Sequence, residues 1–168
     1  MIEVSNIKKV FQEVRPQKKI SIKVLAKKIL SFNEKLSKSE IPYIQNDFDK
    51  KLYSTYLSFI NQNKAFFTVK RNKDHRGDFT ELFKNNKIGQ ISFFTINKNK
   101  IRGKHYHDTK TEKFFLINGK VKFDFFNIIS KKKYSMVLDE KNTKVVFTIP
   151  GWSHKIKNIG NIIFLIME

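Results

Sequence analysis

Two periodicities divide the chain. In its first third, Ile22, Leu25, Ala26, Ile29 and Leu30 recur at three- and four-residue spacing, which predicts an amphipathic helix over about 20–35. Pro16 before it and Pro42 after it are the expected breakers. A second helix is expected to start at Asp47 or Asp49 as N-cap, with Phe48, Leu52, Tyr56 and Phe59 on one stripe. From Phe66 onward the period changes to two. Phe67 and Val69 open it, Ile91, Phe93 and Thr95 continue it, and Val121, Phe123 and Phe125 alternate with Lys122 and Asp124. Val145 and Phe147 follow, and Ile162 to Met167 forms a last apolar strand. All six Gly lie at or after Gly77, so turns concentrate where the strands are. The pattern predicts a mainly β protein, an antiparallel double-sheet roll over 66–168, preceded by a helical extension over 1–65 with two or three helices. Two short helices are marginal alone and need something to pack on.

A chain of 168 residues with 17 Phe can bury a real core. No Cys is present, which leaves His, Asp and Glu as metal ligands. No apolar run approaches the roughly 18 residues of a membrane span, and the N-terminus lacks the apolar core of a signal peptide. A soluble cytoplasmic protein without membrane contact is the expectation. The net charge of +19 invites a nucleic-acid partner, yet only four of 34 basic residues are Arg (15, 71, 76 and 102). Base-reading surfaces favour Arg, and the Lys is dispersed, so nucleic acid is not expected. Lys131-Lys132-Lys133 fits a solvated hairpin turn. The charge does favour anionic ligands such as nucleotide diphosphates.

Two segments carry candidate chemistry. The first is Gly103-Lys-His105-Tyr-His107-Asp-Thr-Lys-Thr-Glu112, followed after six residues by Gly119; the second is Pro150-Gly-Trp-Ser-His154-Lys-Ile-Lys-Asn158. On a strand His105 and His107 share a face and Tyr106 takes the other, towards core packing. Glu112 and His154 can return to the same face from neighbouring strands. Three imidazoles and a carboxylate suit Zn, Mn, Fe, Ni or Cu. Arg76 and Arg102 each precede a Gly, and a guanidinium fork beside a Gly can grip diphosphate oxygens. Glu81 is a candidate acceptor for a uracil or sugar hydroxyl, or a partner for Arg76. His75 belongs to a polar turn with Asp74. Trp152 either lines a pocket or wedges a strand end, and Lys113 points outward as a salt-bridge partner.

The spacing resembles the cupin signature G…HxH(x4)E(x6)G followed by P-G-x-x-H-x-x-x-N, with Pro150 and Gly151 adjacent where one residue usually separates them. A narrower resemblance spans nearly the whole chain. Arg76-Gly-Asp-Phe-Thr-Glu81, Arg102-Gly-Lys-His-Tyr-His107, Thr109-Lys-Thr-Glu-Lys-Phe114 and Ile149-Pro-Gly-Trp-Ser-His154 resemble the C-terminal cupin domain of CapF-type UDP-sugar enzymes. Ile29-Leu-Ser-Phe32, Ile41-Pro42 and Lys51-Leu-Tyr-Ser-Thr-Tyr-Leu-Ser58 resemble the tail of their reductase domain.

The resemblance implies a cupin-type double-stranded β-helix that epimerises C3 of a UDP-4-keto-6-deoxy-N-acetylhexosamine in capsule or O-antigen sugar synthesis. It also implies a divalent metal, zinc in known members, held by His105, His107, Glu112 and His154, and a homodimer. No G-x-x-G-x-x-G fingerprint is present, so neither NAD(P) binding nor reductase activity is expected of this chain, and a separate reductase is a possible partner. The Arg76 and His105 motifs also resemble dTDP-4-keto-6-deoxyglucose 3,5-epimerase, whose matching histidine is the catalytic base. His105 is therefore read as base or as ligand, with Arg76, Glu81 and Arg102 as substrate-binding residues. A 3,4-ketoisomerase using the same base, and a non-catalytic cupin that binds a sugar nucleotide or a reductase, are the alternatives.

Overall fold

The structure is a computed structural model that describes residues 19–38, 40–85, 89–142 and 144–161, and the backbone of 163–167. Pro16 and Ile162, invoked above, lie outside the described residues. Helix α1 spans Ile22–Ser37 and starts where the Ser21 side chain accepts from the Val24 N–H. Helix α2 spans Asp47–Ser58. Its N-cap is Asn46, whose Oδ1 accepts from the Asp49 N–H, and not Asp47 or Asp49 as the sequence pattern suggested. The two acids fall in the first turn, where they complement the helix dipole.

Ten strands follow: β1 (Arg71–Asp74), β2 (Gly77–Asn85), β3 (Gly89–Ile96), β4 (Ile101–His105), β5 (Lys113–Asn118), β6 (Lys120–Asn127), β7 (Lys133–Asp139), β8 (Val145–Phe147), β9 (Trp152–Asn158) and β10 (Ile163–Met167). They form a six-stranded sheet in the order β1-β2-β3-β10-β5-β8 and a four-stranded sheet in the order β4-β9-β6-β7. Every strand pair is antiparallel. The two sheets form the double-stranded β-helix of a cupin, as expected. No strand begins at Phe67 or Val69; that stretch is irregular, and Phe67 stacks edge-on against Phe83 of β2.

The core lies between the sheets and contains Phe94, Ile96, Phe114, Leu116, Val121, Phe123, Phe125, Leu138, Val146 and Ile156. On β6 the inward set is the one the alternation indicated. On β3 and β8 it is the opposite set: Ser92, Phe94 and Ile96 are buried while Ile91 and Phe93 are half-buried, and Val146 is buried between exposed Val145 and Phe147. Apolar residues on both faces of these strands leave their alternation without a sign. The Lys131–Lys133 run does sit at the β6–β7 turn. Helices and barrel meet where Glu40 bridges to Lys84, the Ile41 N–H donates to the Lys84 carbonyl and Asn85 Nδ2 donates to the Ile41 carbonyl.

Candidate functional site

Strand β4 aims His105 through an irregularity. Ile101 and Gly103 pair with Lys157 and Lys155 on the outer face, while Arg102 pairs with buried Ile156. In an unbroken ladder Lys104 would oppose His154. Instead the register shifts between Gly103 and His105, so His105 opposes His154. The extra residue, Lys104, has φ +67, and the bulge turns His105 to the inner face already occupied by Arg102. Gly103 is required here: a Cβ would stand 2.7 Å from the His154 carbonyl oxygen, and its φ is +87.

Beyond β4 the chain leaves the ladder, so Tyr106 and His107 lie in a loop. Tyr106 is therefore exposed rather than packed in the core. His107 nonetheless returns beside His105, with ring centroids 4.9 Å apart. The adjacent Pro150-Gly151 turn ties the two motifs together: the Gly151 N–H donates to the His107 carbonyl at 3.0 Å. Glu112 immediately precedes β5, and its backbone N–H donates to Thr148 Oγ1 at 2.8 Å. Asn158 is buried and structural; its Nδ2 donates to the carbonyls of Ile96 and Asn161 and its Oδ1 accepts from Gly160.

The side chains converge. Ligand atoms of His105, Glu112 and His154 all lie within 4.8 Å of one another. His107 joins through Glu112, with Nε2 3.3 Å from Oε2, and His154 Nε2 is 3.4 Å from the same oxygen. Glu112 and His154 are 3% and 2% exposed, whereas His105 is exposed. Burial pushes the His154 imidazole down to about 4, against the raising effect of the Glu112 carboxylate. Among the described residues His107 Nε2, Glu112 Oε2 and His154 Nδ1 are buried without a hydrogen-bond partner. Such groups are costly in a folded interior unless something else satisfies them. A divalent cation fits this set of imidazole nitrogens and one carboxylate oxygen, and the absence of thiolates leaves several transition metals admissible.

His105, Glu112 and His154 open into a cavity of about 210 Å³ walled by Phe79, Phe94 and Phe114, with Arg76 and Arg102 along it. Arg102 is 13% exposed at its side chain and donates to the carbonyls of Thr95 and Asp78; burial lowers its pKa. Arg76 is more open and its guanidinium grips Asp74, which it holds down to about 2. Asp74 also lies 3.7 Å from Arg102. This carboxylate orients both arginines, and the sequence reading gave it only a turn beside His75. Its position two residues before Arg76 in a hairpin was the available signal. Glu81 is not brought to the cavity: it lies further along β2 and pairs with Lys84 at 3.5 Å. His75 is exposed, Lys113 lies over the Phe147 ring, and Trp152 packs on the core beside a second, apolar hollow of about 310 Å³ that contains none of the four cluster residues.

The double-stranded roll with a His/Glu cluster at its inner face defines a cupin with a metal-type site. The chain belongs to the family described as the polysaccharide biosynthesis C-terminal domain, which matches residues 72–167. It is 37% identical over 148 residues to a UDP-2-acetamido-2,6-beta-L-arabino-hexul-4-ose reductase of Pseudomonas aeruginosa, a match covering 88% of this chain and 40% of that protein. It superposes on the capsular polysaccharide assembling protein CapF of Staphylococcus aureus with a TM-score of 0.81 at 29% identity, over 88% of this chain and 43% of CapF. The cupin domain of Drosophila melanogaster CENP-C, at 9% identity and TM-score 0.51, shares the fold alone. The chain thus spans about two fifths of the length of its bacterial relatives. Among the described residues no helix is long and apolar enough to cross a membrane.

Proposed function

We propose that this chain is a nucleotide-sugar C3-epimerase acting on a UDP-4-keto-6-deoxy-N-acetylhexosamine. The observation that carries the reading is the convergence of an exposed, cavity-lining His105 with buried imidazole and carboxylate groups that retain atoms without a hydrogen bond. Removal of the C3 proton, alpha to the C4 ketone, requires a base that substrate can reach. His105 lines the cavity and takes that proton; the C–H electron pair becomes the C3–C4 double bond of an enolate, water at the cavity mouth protonates the opposite face of C3, and the hydroxide left takes the proton back from His105. His107, Glu112 and His154 would hold a divalent ion, with zinc the first choice from the CapF-type resemblance. When bound, such an ion supplies Lewis-acid stabilisation of charge on the ketone oxygen. The buried guanidinium of Arg102 adds a fixed positive charge to the same cavity.

The cavity volume decides how much of the substrate enters. Sites that enclose a whole ligand usually hold roughly 300–1,000 Å³; at about 210 Å³ this one admits the sugar ring. The diphosphate then stays at the mouth, where Arg76 is within reach. Glu81, paired with Lys84 away from the cavity, has no part in this reading. Residues 66–168 form the catalytic unit and 1–65 its helical extension. Two copies pair through the outer face of the six-stranded sheet, where Ile117, Val145 and Phe147 stand exposed, and a cytoplasmic location suits a nucleotide-sugar substrate.

A second reading has a specific observation in its favour. His105 is within ligand distance of Glu112 and His154; if it is itself a ligand, no base remains and the chain is a binding module. The variant His105→Asn separates the two. For the epimerase it retains metal, measured by inductively coupled plasma mass spectrometry, and loses deuterium incorporation at C3 by at least a hundredfold. Loss of metal together with unchanged affinity for UDP-sugar sinks the assignment of His105 as base.

A further inference from the structure

The outer face of the four-stranded sheet carries a basic groove. Because side chains alternate along a strand, β6 turns Val121, Phe123 and Phe125 to the core and sends Lys122, Asp124 and Phe126 outward. Lys133 of β7 and Lys155 of β9 flank them. Lys104, the residue that the β4 bulge inserts before His105, completes the wall. The hollow measures about 590 Å³, within the roughly 300–1,000 Å³ of sites that enclose a whole small ligand. None of the four cluster residues lines it; His154 lies between Ser153 and Lys155 in the chain but is buried on the inner side.

Four lysines stand here against one carboxylate. Asp124 is shared between Lys122 at 3.1 Å and Lys155 at 2.9 Å, and the Ser135 hydroxyl donates to it at 2.7 Å. Among the described residues no carboxylate forms an ion pair with Lys104 or Lys133, and both are exposed. Lys122 also stands directly opposite Lys157 across the β6–β9 pair, a like-charge pairing that is destabilising until an anion intervenes. At one end of the groove Phe126 is half-buried, paired with Lys133 across the ladder, with the Lys131 ammonium 5.9 Å from its ring centroid.

The geometry points to a second nucleotide site on the outside of the barrel, one that takes a nucleoside diphosphate. The lysines hold the phosphate oxygens as point charges, and the base stacks on Phe126. A diphosphate carries several negative charges and matches the lysine excess, which a single carboxylate would not. Nucleic acid is the poorer occupant, because no Arg lines the groove and surfaces that read bases favour Arg. A ligand held by Lys104 pulls on the inserted residue that turns His105 inward, so occupancy reaches the segment that aims that histidine. The choice of uridine for the test rests on the epimerase reading; the groove does not.

The test titrates UDP into the full chain by calorimetry and by amide NMR. Two binding events are expected, one at the mouth of the cavity and one in the groove. Amides of Lys104, His105, Lys122, Phe126, Lys133 and Lys155 should move together with a single dissociation constant, a readout independent of any variant. Lys122→Gln with Lys133→Gln should weaken the groove event at least tenfold and leave the cavity event and the metal content unchanged, while Arg76→Gln should weaken the cavity event alone. ADP should bind the groove within about threefold of UDP, since stacking on a ring does not read the base. Failure of the six amides to move overturns the proposal whatever happens in the cavity. Equal weakening by Lys23→Gln with Lys27→Gln, exposed lysines of α1, overturns it by assigning the event to net charge alone. Duplex DNA that binds these residues more tightly than UDP at physiological salt also overturns it. Movement of the six amides without a cavity event supports the groove and counts against the epimerase reading.

Discussion

The barrel and the helix pair are built from equally apolar sequence but close their surfaces to different degrees. In the barrel, ten apolar side chains from both sheets interlock, and Ile96, Val121 and Phe123 are fully excluded from solvent. In the helix pair Phe32 is the one apolar residue buried among those described, and Asp49, held by Lys28, is the other buried group. A β-roll can satisfy its own hydrophobic faces because two sheets cover each other. An α-hairpin with a wide apolar stripe covers only the part that faces its second helix. The difference separates a core that covers itself from a helix pair that keeps an exposed apolar row.

The largest expected effect tests the barrel side of that contrast. Phe123→Ala should destabilise the chain by roughly 3–5 kcal/mol in urea denaturation, because the surrounding rings cannot collapse into the space. Acid comes next. With metal chelated, His154 is neutral in the folded chain down to about 4 and regains an ordinary value near 6.5 on unfolding. The unfolded state therefore binds more protons in that window, and stability falls as pH is lowered through it, by on the order of 3 kcal/mol at most. Chelated protein that holds its denaturation midpoint constant from pH 6.5 to 4 would contradict this. Gly103→Ala strains the bulge by roughly 1–3 kcal/mol and pushes on the His154 backbone, so metal affinity in a competition titration should fall about tenfold.

The helix side yields smaller effects. Asn46→Ala should cost α2 about 1 kcal/mol, seen as faster amide exchange at Asp49 with the barrel unaffected. Leu30→Ala in the isolated chain should change global stability by no more than about 0.5 kcal/mol. A loss of several kcal/mol there would mean that the row is already covered and would erase the contrast between the two regions.

The sequence separated a helical part from a β part but did not show which way each strand faces, and it opened the first strand at Phe67 where β1 starts at Arg71. The cluster was legible because spacing conveys it: His105, His107, Glu112 and His154 belong to motifs whose turns set their direction. The route was less legible. Strict alternation put His105 and His107 on one strand face, whereas β4 bulges at Lys104 and ends at His105, so the second histidine arrives through a loop. A bulge is a tertiary accommodation, here to the His154 backbone, and composition carries little trace of it. Asp74 was underread because its partners are distant: Arg102 reaches it only after two strands have folded back. Glu81 was overread because it follows Arg76 in the chain, while the β2 register shift between Glu81 and Phe83 accompanies a pairing with Lys84.

The central claim is that the barrel performs its chemistry alone. The direct measurement is proton NMR of a UDP-4-keto-6-deoxy-N-acetylhexosamine in deuterated water with the purified chain, without reductase and without nicotinamide. The account predicts loss of the H3 signal at a catalytic rate, followed by appearance of the C3 epimer. Persistence of H3 while saturation transfer shows the sugar bound would contradict it.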